Sequence, residues 1–288
     1  VRLSRRHPTP PAPPRRVYLL RLRVAPIIKP SHIHADELAA FYAMGDTPYA
    51  LEDHALLVAQ LHNMPSDALF AVHLGDIKTG ASKCEEVVYY RVAEYLRTSR
   101  LPLFIVPGDN EWNDCSNPES AWGLWTRYLM GFDLHWTNAL SVDRHPERDD
   151  LFAFFQTGVL FVGVNVVGGK VHDPEEWAQR HALCAKWIEA QVDRYRSDIE
   201  RLVILGHATP RRKHAGFFGE VERIVIDLDR PVLYIHGDGH RGEHERLFDT
   251  GNVLRVQVDQ GGKAPPVRVG ITDDSETPFV FDRRLPDQ

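Results

Sequence analysis

Short apolar runs, each broken off by glycine followed by an acid or a histidine, set the rhythm of this chain. Phe41 to Met44, Leu69 to Leu74, Leu103 to Val106, Leu202 to Leu205 and Val232 to His236 are rich in β-forming residues. Their length and composition predict buried strands. They run into Gly45-Asp46, Gly75-Asp76, Gly108-Asp109-Asn110-Glu111, Gly206-His207 and Gly237-Asp238-Gly239-His240 respectively. Between them the spacing changes to that of helices. Leu51 to His62 predicts one, Glu85 to Leu96 another, Trp177 to Tyr195 a longer one and Gly219 to Leu228 a short one. Phe152 to Phe155 and Val159 to Val164, separated by Gln156-Thr157-Gly158, predict a hairpin. After His240, the runs Val253 to Val258, Val267 to Ile271 and Phe279 to Phe281 predict strands of a second sheet. The alternation is that of an α/β fold, without a repeat of the solenoid kind.

In open α/β sheets ligands gather beyond the carboxyl ends of the strands, so polar pairs placed at five such ends can converge on one site. Asp46, Asp76, Asp109 and Asp238 brought together would repel one another and take up protons unless cations sat among them. Two divalent ions carry a charge that matches four carboxylates, and a shared carboxylate holds such ions ~3.5–4 Å apart in two-metal hydrolases.

The order of these strings resembles the calcineurin-like metallophosphoesterase superfamily, whose motifs are Asp-x-His, Gly-Asp, Gly-Asn-His-Glu/Asp, a histidine and Gly-His-x-His. Asp46 matches the first aspartate, with Pro48 where the histidine would be, and Asp76 matches the second motif unchanged. Asp109 stands at the asparagine of the third motif and Asn110 at its catalytic histidine; His207 fits the fourth. In the fifth, Asp238 replaces the first histidine and His240 keeps the second. The match runs from about Phe41 to about His244. It looks closest to a divergent bacterial branch carrying Gly-Asp-Thr-Pro-Tyr, Gly-Asp-Asn-Glu-Trp and His-Gly-Asp-x-His, strings present at Gly45 to Tyr49, Gly108 to Trp112 and His236 to His240.

The resemblance implies a four-layer α-β-β-α sandwich. It also implies a centre in which Asp76 bridges two metals, Asp46 and His240 complete the first, and Asp109, His207 and Asp238 the second. Glu111 matches the acid that closes the third motif and reads as a hydrogen-bond partner behind the ligands. The reaction implied is attack of a metal-activated water on a small phosphorylated substrate. Of Mn²⁺, Mg²⁺, Fe²⁺ and Zn²⁺, a set richer in carboxylate than the family's favours Mn²⁺ or Mg²⁺. Asn110 can donate a hydrogen bond but cannot transfer a proton near pH 7, which leaves the leaving group without the family's acid. His214, in Arg211-Arg212-Lys213-His214, is a candidate substitute, and Arg211 and Arg212 offer cationic contacts to phosphate oxygens. The alternative for that segment is a solvated surface loop. Loss of two motif positions also supports a noncatalytic, metal-stabilised binding protein descended from the fold. A chance array of strand-end turns is the third reading.

Composition narrows the picture further. At 288 residues and 43% hydrophobic, the chain can bury one sizeable core, and its net charge of -6 argues against bulk attraction to nucleic acid. No apolar stretch approaches the ~20 residues that span a bilayer; Val17 to Ile28 is interrupted by Arg21 and Arg23. Residues 1–16, with five arginines and a Pro8 to Pro14 cluster, predict a disordered basic tail ahead of a single domain at 17–288. The short apolar part after them lacks the cleavage site of a secretory signal.

Cys84 and Cys115 follow adjacent motifs, so neighbouring strands would bring them within bridging distance; the alternative is two unrelated buried thiols. A bridge implies an oxidising compartment, periplasmic or secreted, and its absence a cytoplasmic one. Cys184 reads as core. So do His73 and His236 inside their strands, as hydrogen-bonded structural imidazoles. Lys78 and Lys83 read as a charged loop that can touch an anion. Trp112, Trp122, Trp125 and Trp136 can cap the site or form a small core of their own.

Overall fold

Strand β1, Glu37–Met44, places Ala39, Phe41 and Ala43 on one face and Ala40, Tyr42 and Met44 on the other, and all six are buried. A strand apolar on both faces belongs between two layers. The computed structural model describes residues 37–137 and 140–283; the predicted tail and the run Val17 to Ile28 lie outside them.

Strands β2 (Phe70–His73) and β3 (Leu103–Ile105) pair in parallel beside β1. On its other side β1 pairs antiparallel with β11 (Val267–Thr272), which pairs with β12 (Phe279–Asp282). The second sheet runs β4 (Asp143–His145), β5 (Arg148–Gln156), β6 (Val159–Gly163), β7 (Arg201–Leu205), β8 (Val232–His236), β10 (Val253–Gln257) and β9 (Glu243–Arg246). The second-sheet expectation is thus corrected: of the three runs after His240 only β10 enters the sheet of β8, while β11 and β12 extend the sheet of β1. The predicted hairpin closes at Gln156 opposite Val159, with Thr157 and Gly158 both at positive φ, as a two-residue primed turn requires.

Phe41, Phe70 and Phe104 of the first sheet meet Phe152, Phe154 and Phe161 of the second, with Phe70 edge-on to Phe154 at 5.2 Å. This aromatic seam joins the sheets. Helices α1 (Leu51–His62), α2 (Glu86–Leu96) and α3 (Pro118–Leu129) cover the outer face of the first sheet. Helices α4 (Pro174–Tyr195) and α5 (Ala215–Leu228) cover that of the second, which completes an α-β-β-α sandwich. Helix α4 begins a turn before the sequence pattern does because Asp173 accepts from the amides of Glu175 and Glu176 and Pro174 opens the first turn. The tryptophans follow the second of their two readings: Trp122 stacks on Trp125, both on α3, and Trp125 is buried on the face of that helix that meets the first sheet. His73 and His236 are buried and hydrogen-bonded, to the Thr47 carbonyl and to Arg255 Nε. No helix among the described residues is long and apolar enough to cross a membrane.

Cys84 and Cys115 form a disulfide with Cα atoms 6.1 Å apart, and Cys184 is a buried free thiol. Both bridged sulfurs lie within 3.7 Å of the Asn110 carbonyl oxygen, so the bridge is fastened to the third motif. Thiol titration of unfolded, unreduced protein is expected to find one reactive thiol, that of Cys184. Three would show that the bridge does not form.

Candidate metal centre

The carboxyl ends of β1, β2 and β3 deliver Asp46, Asp76 and Asp109, and those of β7 and β8 deliver His207, Asp238 and His240. The approach is close because two strand ends carry no side chain. A Cβ on Gly75, at φ +87°, would sit 2.5 Å from the Gly108 nitrogen, and one on Gly108 only 2.1 Å from the Asp76 nitrogen. Asp46, Asp76, Asp238 and His240 themselves hold positive φ. Such backbone costs about 1–3 kcal/mol per residue and persists where the surroundings impose it, typically at functional sites.

Two groups of ligand atoms result, each within 4.8 Å: Asp46, Asp76 and His240, and Asp76, Asp109 and His207. Asp76 belongs to both. Its Oδ1 lies 3.4 Å from His207 Nε2, which approaches Asp109 Oδ1 at 3.1 Å, while His207 Nδ1 donates to the Leu74 carbonyl at 2.7 Å and fixes the tautomer. On the other side His240, with 44% of its side chain exposed, reaches Asp46 Oδ1 at 3.4 Å. Asp238 stands beside the second group: the Thr209 amide donates to its Oδ2 at 2.9 Å. Its Oδ1 and Asp109 Oδ1 border the space that a Cβ on Gly168 would fill, at 2.6 and 2.5 Å.

Glu111 opens no ligand position. Buried, it accepts from the amides of Gly108 at 2.6 Å and Asp76 at 3.2 Å and ties the second and third motifs together. Asn110 donates from its backbone to Asp76 Oδ1 at 2.9 Å and from its side chain to Asp76 Oδ2 at 2.5 Å. His214 is not brought to the centre, contrary to the role of substitute acid. It is fully buried against Trp177, its Nε2 engages the Val167 carbonyl and its Nδ1 accepts from the Arg211 amide, and burial lowers its pKa to about 4. Arg211 and Arg212 are exposed; against burial, His207, the Thr209 hydrogen bonds and, last, Arg211 hold the Asp238 carboxyl low.

Sequence reading missed Tyr49. Its hydroxyl donates to Asp76 Oδ2 at 2.9 Å and lies 3.4 Å from Asp46 Oδ1 and 3.5 Å from His240 Nε2, facing the whole first group. Asp53 fixes it by accepting from the amides of Tyr49 and Ala50. The available signal was its place one residue after Pro48, where the motif's histidine is lost.

Burial, with Asp109, Glu111 and Asp46 nearby, raises Asp76 far above the carboxylate range although His207 pulls it down. Burial lowers His207, but Asp76 and Asp109 outweigh it and hold the imidazole high. Asp46 Oδ2 is buried without a hydrogen-bond partner among the described residues. An orphaned carboxylate oxygen, the approach of Asp109 and Asp238 to one glycine and a carboxylate common to both groups all fit two divalent cations.

No family model matches this sequence, and no curated protein matches it in sequence. Solved structures do match in shape. A dimetal phosphatase from Danio rerio superposes with a TM-score of 0.57 at 14% identity, over 85% of this chain and 99% of that one. Purple acid phosphatase PPD1 from yellow lupin seeds gives 0.53 at 12% identity, over 85% of this chain and 52% of that one. GAP50, the anchor in the inner membrane complex of Plasmodium, gives 0.51 at 10% identity, over 85% and 87%. The fold is that of the metallophosphoesterases. Within that fold, the candidate ligands lie where the strands of both sheets end.

Two measurements check the centre. Mn²⁺-equilibrated protein is expected to hold about two ions per chain and Asp76→Ala at most about one, with Asp76→Asn close to Asp76→Ala. Retention of both ions by either variant would remove the bridge. The second is pH dependence. Asp76 and His207 both have folded pKa values above their unfolded ones, so the stability they contribute is present below the unfolded values and lost as pH rises through the folded ones. Asp238, shifted down, works in the opposite sense, its contribution lost as pH falls through its folded value. Metal-free protein is expected to lose thermal stability from about pH 4 upward, and Mn²⁺ to restore more of it near pH 8 than near pH 5. A manganese increment in Tm independent of pH would contradict this.

Proposed function

We propose that this chain is a metal-dependent phosphoesterase that hydrolyses a small phosphorylated substrate, and that it belongs to the divergent branch its three motif strings resemble. The observation that carries the reading is Asp76 shared between two ligand groups at the ends of strands from both sheets. Asp46 and His240 would hold one cation with Asp76, and Asp109 and His207 the other, with Asp238 bordering it. When bound, the pair would activate water and draw negative charge off the phosphoryl oxygens.

The chain's own residues do the rest. Glu111 keeps Asp76 and Asp109 at a fixed separation through the amides it accepts from. Asn110 orients Asp76 with two hydrogen bonds, and its own amide cannot give a proton to a departing alkoxide. Arg211 and Arg212 face solvent and are available to phosphate oxygens. The Cys84–Cys115 bridge supports an oxidising compartment, such as a periplasm or the cell exterior.

A noncatalytic reading has one specific support, the side-chain amide of Asn110 already spent on Asp76. Turnover separates the two. Under Mn²⁺ or Mg²⁺, hydrolysis is expected to depend steeply on leaving-group acidity, with aryl phosphates far faster than alkyl phosphates. Asn110→His is expected to flatten that slope and raise alkyl ester turnover, by up to ~10²–10⁴-fold if the imidazole reaches the leaving oxygen. Absence of turnover with every substrate and metal would favour the binding protein.

A further inference from the structure

The first ligand group opens to solvent at His240. That residue keeps 44% of its side chain exposed, whereas Asp46 and Asp76 are buried, as are all three residues of the second group. Tyr49 stands at the open side. Its half-buried ring meets the His240 ring edge-on, with centroids 5.4 Å apart. The chain that carries it is held in place, because Asp53 Oδ2 accepts from the amides of Tyr49 at 3.0 Å and Ala50 at 2.8 Å. An anion drawn to cations among these carboxylates therefore arrives beside the phenol.

Asp76 decides what the phenol does then. An ionised carboxylate offers about four lone-pair sites. Protein donors occupy three on Asp76: the Asn110 backbone amide at Oδ1, and the Asn110 side chain and the Tyr49 hydroxyl at Oδ2, at 2.9, 2.5 and 2.9 Å. Two cations that share Asp76 need two sites, so one donor has to give way. The Tyr49 oxygen also lies 3.4 Å from Asp46 Oδ1 and 3.5 Å from His240 Nε2. Its O–H therefore sits among the candidate ligands of the first cation, where a positive charge repels the hydrogen. Rotation about the C–O bond turns that hydrogen away and leaves the oxygen where it is. The Asn110 side chain donates to the same oxygen at 3.2 Å, which suits the turned hydroxyl.

We propose that Tyr49 is a substrate contact: with the cations bound, its hydroxyl swings off Asp76 and donates to a nonbridging oxygen of the phosphoryl group. The inference rests on the phosphoesterase reading and deepens it. No bond forms or breaks at Tyr49. The phenol keeps its proton, so the dependence on leaving-group acidity expected above stands. What it supplies is a donor already fixed through Asp53 and the His240 ring for charge on the phosphoryl oxygens.

Tyr49→Phe removes that one oxygen and keeps the ring. The test compares Mn²⁺-loaded wild type and variant in manganese per chain, calorimetric affinity for inorganic phosphate, and kcat/KM for 4-nitrophenyl phosphate. Manganese is expected to stay at the wild-type number, while phosphate affinity falls roughly ten- to hundredfold and kcat/KM by at least as much. The manganese count separates this contact from a structural or ligating role. A variant that loses an ion would show the phenol to be a ligand and overturn the proposal, as would phosphate affinity equal to that of wild type. Wild type that takes up manganese and binds no phosphate would overturn it too. Absence of turnover with every phosphate ester, with phosphate binding still dependent on Tyr49, would overturn the phosphoesterase reading and leave the anion contact standing.

Discussion

Mutual repulsion among buried carboxylates is the constraint on which the rest of this structure depends. Asp46, Asp76 and Asp109 are each at most 6% exposed and share one small volume, with Asp238 at its border. Without cations the arrangement has two outlets, protonation and the His207 imidazolium, and the raised pKa values of Asp76 and His207 register both. Either outlet is a poor substitute for a dication, which can meet several carboxylates at once. The fold therefore carries an electrostatic cost that a bound cation would remove.

Keeping the acids together takes covalent and conformational restraint as well. Gly75 and Gly108 permit a backbone approach that any side chain would block. Glu111 clamps the second and third motifs, and Tyr89 donates to its carbonyl at 2.5 Å. The disulfide fastens the loop after β2 to the turn that carries Asp109 and Asn110. Among the described residues, four of the six non-glycine residues with positive φ are candidate ligands, so strain is concentrated where the chemistry is expected.

The strand-end aspartates were legible in the sequence because a glycine-acid pair after an apolar run is a local signal, and so were most helices. What remained hidden depends on pairing at a distance. Val267 to Ile271 and Val253 to Val258 look alike as runs, yet the first joins β1 and the second β8, a choice made by partners far away in the chain. Helix α3 was missed inside the long connection, although Asn117-Pro118 is a cap followed by a first-turn proline. His214 shows the limit of composition: its neighbours Arg211 and Arg212 are exposed while its own ring is buried among aromatics, which a charge count cannot separate. Tyr49 escaped because the reach of its phenol follows from the path of the chain after Asp46, not from the spacing of the motif.

The most direct test of a two-cation centre organised by Asp76 is anomalous scattering from crystals equilibrated with Mn²⁺. Two peaks ~3.5–4 Å apart are predicted, both touching Asp76, one beside Asp46 and His240 and the other beside Asp109 and His207. Crystals that show no manganese at these residues, or ions that do not share Asp76, would contradict it.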